Sequence, residues 1–150
     1  MRRLRAALAT DYPALAHIKE LAAWANPGDH SFLKANPQEA RTLEPGEKWV
    51  VESHDRLLGY AAFVRVDAKT FRLDGLFVDP AFMAQGIGKQ LVGCSLMRAR
   101  QQGGERLIVD PNPHAAAFYD ACGFQPAPDF EDATLELRSA RFIGKPVMSS

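Results

Sequence analysis

The junction at Leu76–Lys89 narrows the choice of fold more than any other stretch of this chain. There the apolar run Leu76-Phe77-Val78 enters a loop, and a long helical segment then opens on Gly86-Ile87-Gly88. Glycines at a helix start let backbone N–H groups approach an anion closely, because no Cβ stands in the way. The first turn of a helix also leaves its N–H groups without intrahelical partners and carries a partial positive charge. The junction therefore suits a phosphate or pyrophosphate. Two other phosphate-binding patterns fail on these residues. A P-loop needs Gly-Lys-Ser/Thr, but Gln90 follows Gly88-Lys89 and the magnesium-binding hydroxyl is missing. A dinucleotide fingerprint needs a third glycine inside a parallel βαβ unit. Lys89-Gln90-Leu91 supplies none, and the strands ahead of it read as antiparallel.

The rest of the chain arranges itself around that junction. A short strand at Arg3–Ala7 leads to a helix capped by Thr10 or Asp11, with Leu15, Ile18, Ala22 and Ala25 at helical spacing. Pro27-Gly28, Pro37 and Pro45-Gly46 punctuate a polar stretch from Asn26 to Glu47 with room for one short helix. Lys48–Ser53 and Leu57–Val66, rich in aromatic and β-branched residues, read as a hairpin turning at His54-Asp55-Arg56, and Phe71–Val78 as a third strand. The helix after Pro80 runs from Gly86 to Gln102 and closes on Gly103-Gly104. Leu107–Asp110 is a short buried strand. Asn112 and Pro113 start a helix ending near Cys122-Gly123, and two strands close the chain, one from Phe124 onward and one at Ala133–Arg138. Strands in one run and then alternating with helices imply a mixed sheet covered by helices.

Composition removes several functional classes. Eighteen basic and eighteen acidic residues balance to zero, which excludes a general polyanion binder. Cys94 and Cys122 lack Cys-x-x-Cys spacing, so a zinc site or a disulfide framework is not expected, and a reducing, cytoplasmic compartment is. The basic N-terminus loses its apolar run at Thr10-Asp11-Tyr12-Pro13, too early for a signal peptide, and no run approaches the roughly 20 apolar residues of a membrane span. His17, His30, His54 and His114 show no metal-ligand spacing.

A second segment, Asn112-Pro113-His114-Ala115-Ala116-Ala117-Phe118-Tyr119-Asp120-Ala121-Cys122-Gly123-Phe124, completes a pattern. With it the chain resembles the GNAT family of N-acetyltransferases. That family joins a turn of the form Arg/Gln-x-x-Gly-x-Gly/Ala to a later Asn-x-x-Ala-x-x-Phe-Tyr-x-x-x-Gly-Phe helix. Asn112, Ala115, Phe118, Tyr119, Gly123 and Phe124 match the second motif, and Gly86 and Gly88 the first. Met83 stands where the family has Arg or Gln, which affects a side-chain contribution there more than the main-chain cradle. The resemblance implies an α/β (α+β) fold in one domain over residues 1–150. Its central sheet would be mixed and mostly antiparallel, with about six to seven strands flanked by helices and splayed between the fourth and fifth.

The resemblance also implies acetyl-CoA as cosubstrate and no metal. Its pyrophosphate would lie on the N–H groups of Met83, Ala84, Gln85, Gly86, Ile87, Gly88 and Lys89. Its pantetheine would pair with the backbone of Leu76, Phe77 and Val78 like an added strand. Asn112 would cap its helix and touch the pantetheine, beside Phe118. Tyr119 would protonate the departing thiolate, as a phenol can; the alternative is an aromatic packed beside Phe118. Asp74, Glu52 or water would be the base, and Asp110 would cap or pair locally. Cys122 has no His or Asp partner in the local pattern and reads as packing. Lys89, Arg98 and Arg100 would either meet the 3′-phosphate or form a solvated helix face. The implied reaction moves acetyl to a primary amine by direct attack through a tetrahedral intermediate; a non-catalytic acyl-CoA-binding or regulatory module is the alternative. The acceptor, a small-molecule amine or a peptide, would be shaped by Leu21–Glu44 and the C-terminal strands, with Trp24, His30, Phe32, Phe130 and Phe142. Nucleic acid and membrane are not expected partners, and a homodimer is compatible with the reading.

Overall fold

A computed structural model describes residues 2–24, 42–111, 115–131 and 133–143, with residues 35 and 38. Strand β1 (Arg3–Ala6) is followed by a 3-10 turn at Ala9–Asp11 and helix α1 (Tyr12–Trp24). Asp11 begins the helix by reaching back: its Oδ2 accepts from the Leu8 N–H at 2.8 Å. The same carboxylate holds Arg5, which also binds Glu52 at 3.1 Å, so β1, the turn and β2 (Glu47–Ser53) meet at one ionic corner. The hairpin to β3 (Arg56–Arg65) turns on His54 and Asp55, with φ of 51° and 62°. Positive φ at both central residues matches the twist of a tight antiparallel hairpin.

The remaining described elements are β4 (Thr70–Val78), α2 (Ile87–Gln101), β5 (Arg106–Val109), α3 (Ala116–Cys122), β6 (Gln125–Pro126) and β7 (Leu135–Leu137). The strands form one seven-stranded sheet in the order β1-β2-β3-β4-β5-β7-β6. Every neighbouring pair is antiparallel except β4 with β5. This is the mixed sheet that the element order implies, with the splay that the family resemblance implies. Its closing strands are not in chain order, however, because β7 inserts between β5 and β6. Leu137, fully buried, draws β7 inward, while Pro126, which has no N–H to give a ladder, stays on the outer edge. The short helix expected between Asn26 and Glu47 falls mostly outside the described residues.

Two apolar layers sandwich the sheet. On one face Ile87, Leu91, Val92, Tyr119 and Cys122 of α2 and α3 pack on Val51, Phe63 and Leu73. On the other, Leu15 and Ile18 of α1 cover Val50, Tyr60 and Ala62. The start of α2 lies close to β3 because Gly59 leaves room: a Cβ there would stand 2.8 Å from the Phe77 carbonyl and 3.3 Å from Ile87 Cγ2. No helix among the described residues is long and apolar enough to cross a membrane.

Leu107 is fully buried in β5, beside Phe71 of β4. Leu107→Ala is expected to lower unfolding stability by about 2–5 kcal/mol, read as a shift in the urea midpoint without a change in slope.

Candidate functional site

The site begins where a ladder stops. β4 and β5 pair only through Thr70 with Arg106, Phe71 with Leu107 and Arg72 with Ile108. β4 continues to Val78, while β5 ends at Val109 and turns its other edge to β7. The β5-facing edge of Leu73–Val78 therefore has no strand partner among the described residues. A bulge accounts for the divergence: Ala62 pairs with Gly75 but Phe63 with Leu73, which leaves Asp74 as the extra residue. Such an insertion bends and twists its strand. The result is a V, closed at Arg72 and Ile108 and open toward Val78.

The helix start sits at the open end. Asp79 ends the strand, its Oδ1 accepting from the Ala81 N–H at 2.9 Å to begin a 3-10 turn at Pro80–Phe82. In the loop that follows, Ala84 and Gly86 both adopt left-handed φ, 62° and 81°. For alanine this costs about 1–2 kcal/mol, a strain kept where surrounding structure imposes it. Successive N–H groups in such a turn line a concavity suited to an anion. Space above the helix start is open, since a Cβ on Gly86 would meet nothing within 4 Å. Gly88 has the opposite role. A Cβ there would lie 3.1 Å from Phe118 Cζ, so this glycine lets α3 approach α2. Arg2 fastens the loop by donating to the Gln85 carbonyl at 2.8 Å. Met83 is 61% exposed.

Tyr119 is buried between Phe118 and Phe124, edge-on to both with centroids 5.1 and 5.2 Å away. Burial pushes its hydroxyl up to about 12, so the phenol remains protonated throughout the neutral range. α3 ends on Gly123, with φ 105°, where a Cβ would stand 2.0 Å from the Arg141 carbonyl. Burial likewise pushes Cys94 up to about 12 and Cys122 to about 11, which leaves neither thiol as a ready nucleophile.

Other expected residues fall in different places. Asn112 lies outside the described residues, as do His30, Phe32 and the side chain of Trp24. Asp74 sits at the bulge, 17% exposed, with its carboxylate bound to Arg72 Nε at 2.5 Å rather than alone among apolar neighbours. Asp110 accepts from the Thr134 hydroxyl. Glu52 lies on β2, two strands from β4, and is held by Arg5. Arg98 binds Glu47 at 2.6 Å, and its place ten residues beyond Gly88 puts it about 15 Å along α2 from the glycine turn. Phe130 stacks under Arg106, 4.9 Å away at the closed end, and Phe142 packs on the main core. A 580 Å³ cleft at the closed end includes Arg106, Asp129 and Glu136 in its lining, but these charges bind one another. Among the described residues no group of three or more His, Cys, Asp or Glu is placed to hold a metal.

One cluster escaped the sequence reading. On the α1 face of the sheet, Glu44 accepts from the Tyr60 hydroxyl at 2.9 Å and pairs with Lys19 at 2.7 Å. Lys19 also donates to the Thr42 carbonyl and stands 5.7 Å above the Phe77 ring. The carboxylate presses on the bulge, where a Cβ at Gly75 would come within 2.6 Å of Glu44 Oε1. A glycine inside an apolar strand was the one local signal of that approach.

Comparison with known proteins agrees with this geometry. A model of the acetyltransferase (GNAT) family matches residues 4–124, and the chain belongs to that family. Human N-acetyltransferase 8 is 38% identical over an alignment 85 positions long that covers 51% of this chain and 37% of the relative, so the chain spans little more than a third of that protein. In fold it is similar to the PaiA N-acetyltransferase of Thermoplasma acidophilum, solved with coenzyme A, at TM-score 0.75 and 14% identity, covering 92% of this chain and 99% of the other. A GNAT acetyltransferase from Brucella melitensis, solved with acetyl-CoA, gives 0.63 at 19% identity, covering 100% and 96%.

Because Phe118 fills the space a Gly88 side chain would need, Gly88→Val is expected to cost about 1–3 kcal/mol through overpacking between α2 and α3. Thermal melting checks this, with Ile87→Val, a loss of one methyl group at a well-packed position, as the milder comparison.

Proposed function

We propose that this chain is an acetyl-CoA-dependent N-acetyltransferase that transfers acetyl to a primary amine. The observation that carries the reading is the coincidence, at one end of the V, of an unpaired strand edge and an open helix start. An edge of free N–H and C=O groups suits the amides of pantetheine along Leu76–Val78. The left-handed turn at Ala84 and Gly86 suits the pyrophosphate, with N–H groups from Ala84 to Lys89 as donors; the Met83 N–H is instead directed at the Pro80 carbonyl. Both fit a cosubstrate of this length, whose acyl end would then lie toward the closed end of the V, near Asp74 and Gly75.

Tyr119 is the proton donor to the leaving thiolate. Its raised pKa keeps the donor form fully populated, at the expense of some driving force for the transfer. Asp74 is the proton acceptor for the incoming amine; its bond to Arg72 must yield or be shared when that amine arrives. The acceptor is a small-molecule amine or a peptide entering from the α1 face.

Thiol release with acetyl-CoA and a panel of amines tests the activity. Release with at least one amine is expected; binding of acetyl-CoA with no release for any amine would support a non-catalytic module instead. Tyr119→Phe is expected to lower kcat by about 10²-fold with acetyl-CoA affinity unchanged by calorimetry. With Tyr119 held up to about 12, its ionisation should not depress the wild-type rate near pH 10, where an ordinary phenol would titrate. A kcat profile with a tyrosine-dependent fall near pH 10 would contradict that placement.

A further inference from the structure

We infer that Lys19 is an internal acetyl acceptor, acetylated by the chain's own transferase site, with Glu44 taking its proton. The inference rests on the acetyltransferase reading above and adds a modification site to it. Its geometry is that of a nucleophile, a base and a group that orients the base. Lys19 Nζ is the nucleophile and lies 2.7 Å from Glu44 Oε2. Glu44 Oε1 is fixed in turn by the Tyr60 hydroxyl at 2.9 Å. Tyr60 is itself locked, fully buried and packed on Phe77 at a centroid distance of 5.5 Å.

Position decides what this arrangement can reach. Phe77, beneath the Lys19 ammonium, and Gly75, beneath the Glu44 carboxylate, both belong to the part of β4 that has lost β5 as a neighbour. The acyl end of the cosubstrate is expected near Gly75, so Glu44 stands over that place and Lys19 lies 2.7 Å from its carboxylate. The two side chains are 14% and 13% exposed, so the amine is sheltered from bulk water without being sealed from the sheet. Asp74, the residue before Gly75, is itself held by Arg72.

The step balances without another reactant. The Lys19 ammonium gives one proton to Glu44; its nitrogen forms a bond to the acetyl carbon as the carbon–sulfur bond breaks. The thiolate leaves and takes a second proton to become free thiol. The product is an uncharged amide on Lys19, which no longer pairs with Glu44 and so loosens α1 from the segment around Thr42.

The test uses the full chain incubated with acetyl-CoA and no added amine, followed by intact mass and peptide mapping. One acetyl group on Lys19 is expected, formed at a rate independent of protein concentration, with none in Lys19→Arg at any neighbouring lysine. Glu44→Gln should slow it by about 10²-fold, and Glu44→Asp, which keeps the charge, by less. The wild-type arm is decisive even if Glu44→Gln does not fold. Acetyl-CoA binding without acetyl on Lys19 overturns the inference, as does a rate at Lys19 no faster than at the exposed Lys69, or a rate that rises with protein concentration. Failure to bind acetyl-CoA, measured by calorimetry on the same sample, would instead remove the acetyltransferase reading on which the inference stands.

Discussion

The short parallel pairing of β4 with β5 governs the rest of this structure. Parallel neighbours need a crossover, and here α2 supplies it from the far end of β4 to the start of β5. The helix must therefore begin where β4 ends. Because pairing with β5 lasts only from Thr70 to Arg72, that same end of β4 has an edge without a strand partner among the described residues. A free ladder and a helix N-terminus thus arise together from one topological step. Gly59 and Gly88 make the step compact, admitting α2 against β3 and α3 against α2 respectively.

Arg2 reaches the glycine turn through the Gln85 carbonyl, while much of the other positive charge is engaged elsewhere. The chain is neutral, and several of its arginines are engaged away from the glycine turn. Arg5 is held by Asp11 and Glu52, Arg98 by Glu47, and Arg106 by Asp129 and Glu136. Most of these pairs are partly buried, and their effect here is to fix strand ends and helix ends against each other. On the proposed reading, anion recognition falls to N–H groups in a strained turn, which needs no net positive charge. The exposed Met83 is consistent with a turn that works through its main chain.

What the sequence made legible was local. The glycine turn, the hairpin at His54-Asp55 and the Phe-Tyr helix each depend on residues within one turn or one element, so spacing and residue type reveal them. The insertion of β7 between β5 and β6 depends on which edge buries Leu137, a competition between distant segments. Asp74 illustrates the difference well. In the linear apolar run it reads as an isolated acid, but the bulge makes it the residue without a partner on β3, and Arg72 comes within reach. Phe130 is legible as an aromatic near the C-terminal strands, yet its stacking under Arg106 at the closed end is not.

The Lys19–Glu44–Tyr60 cluster was illegible for the same reason, since its members come from α1, a proline-punctuated segment and β3. Gly75 joins them to the site. Any side chain there would collide with Glu44, and the bulge one residue earlier turns this part of β4 out of register with β5. A single wall, Leu73–Val78, thus separates two chemical environments. Its α2 side packs Leu76 and Val78 into the main core beside the helix start, and its α1 side presents Phe77 to an ammonium and Gly75 to a carboxylate. On the proposed reading, an acyl donor laid along the edge of that wall would meet both sides at once. On that same reading, the Lys19 amine on the α1 side and the glycine turn on the α2 side need no domain motion to cooperate, only a cosubstrate laid along the edge between them.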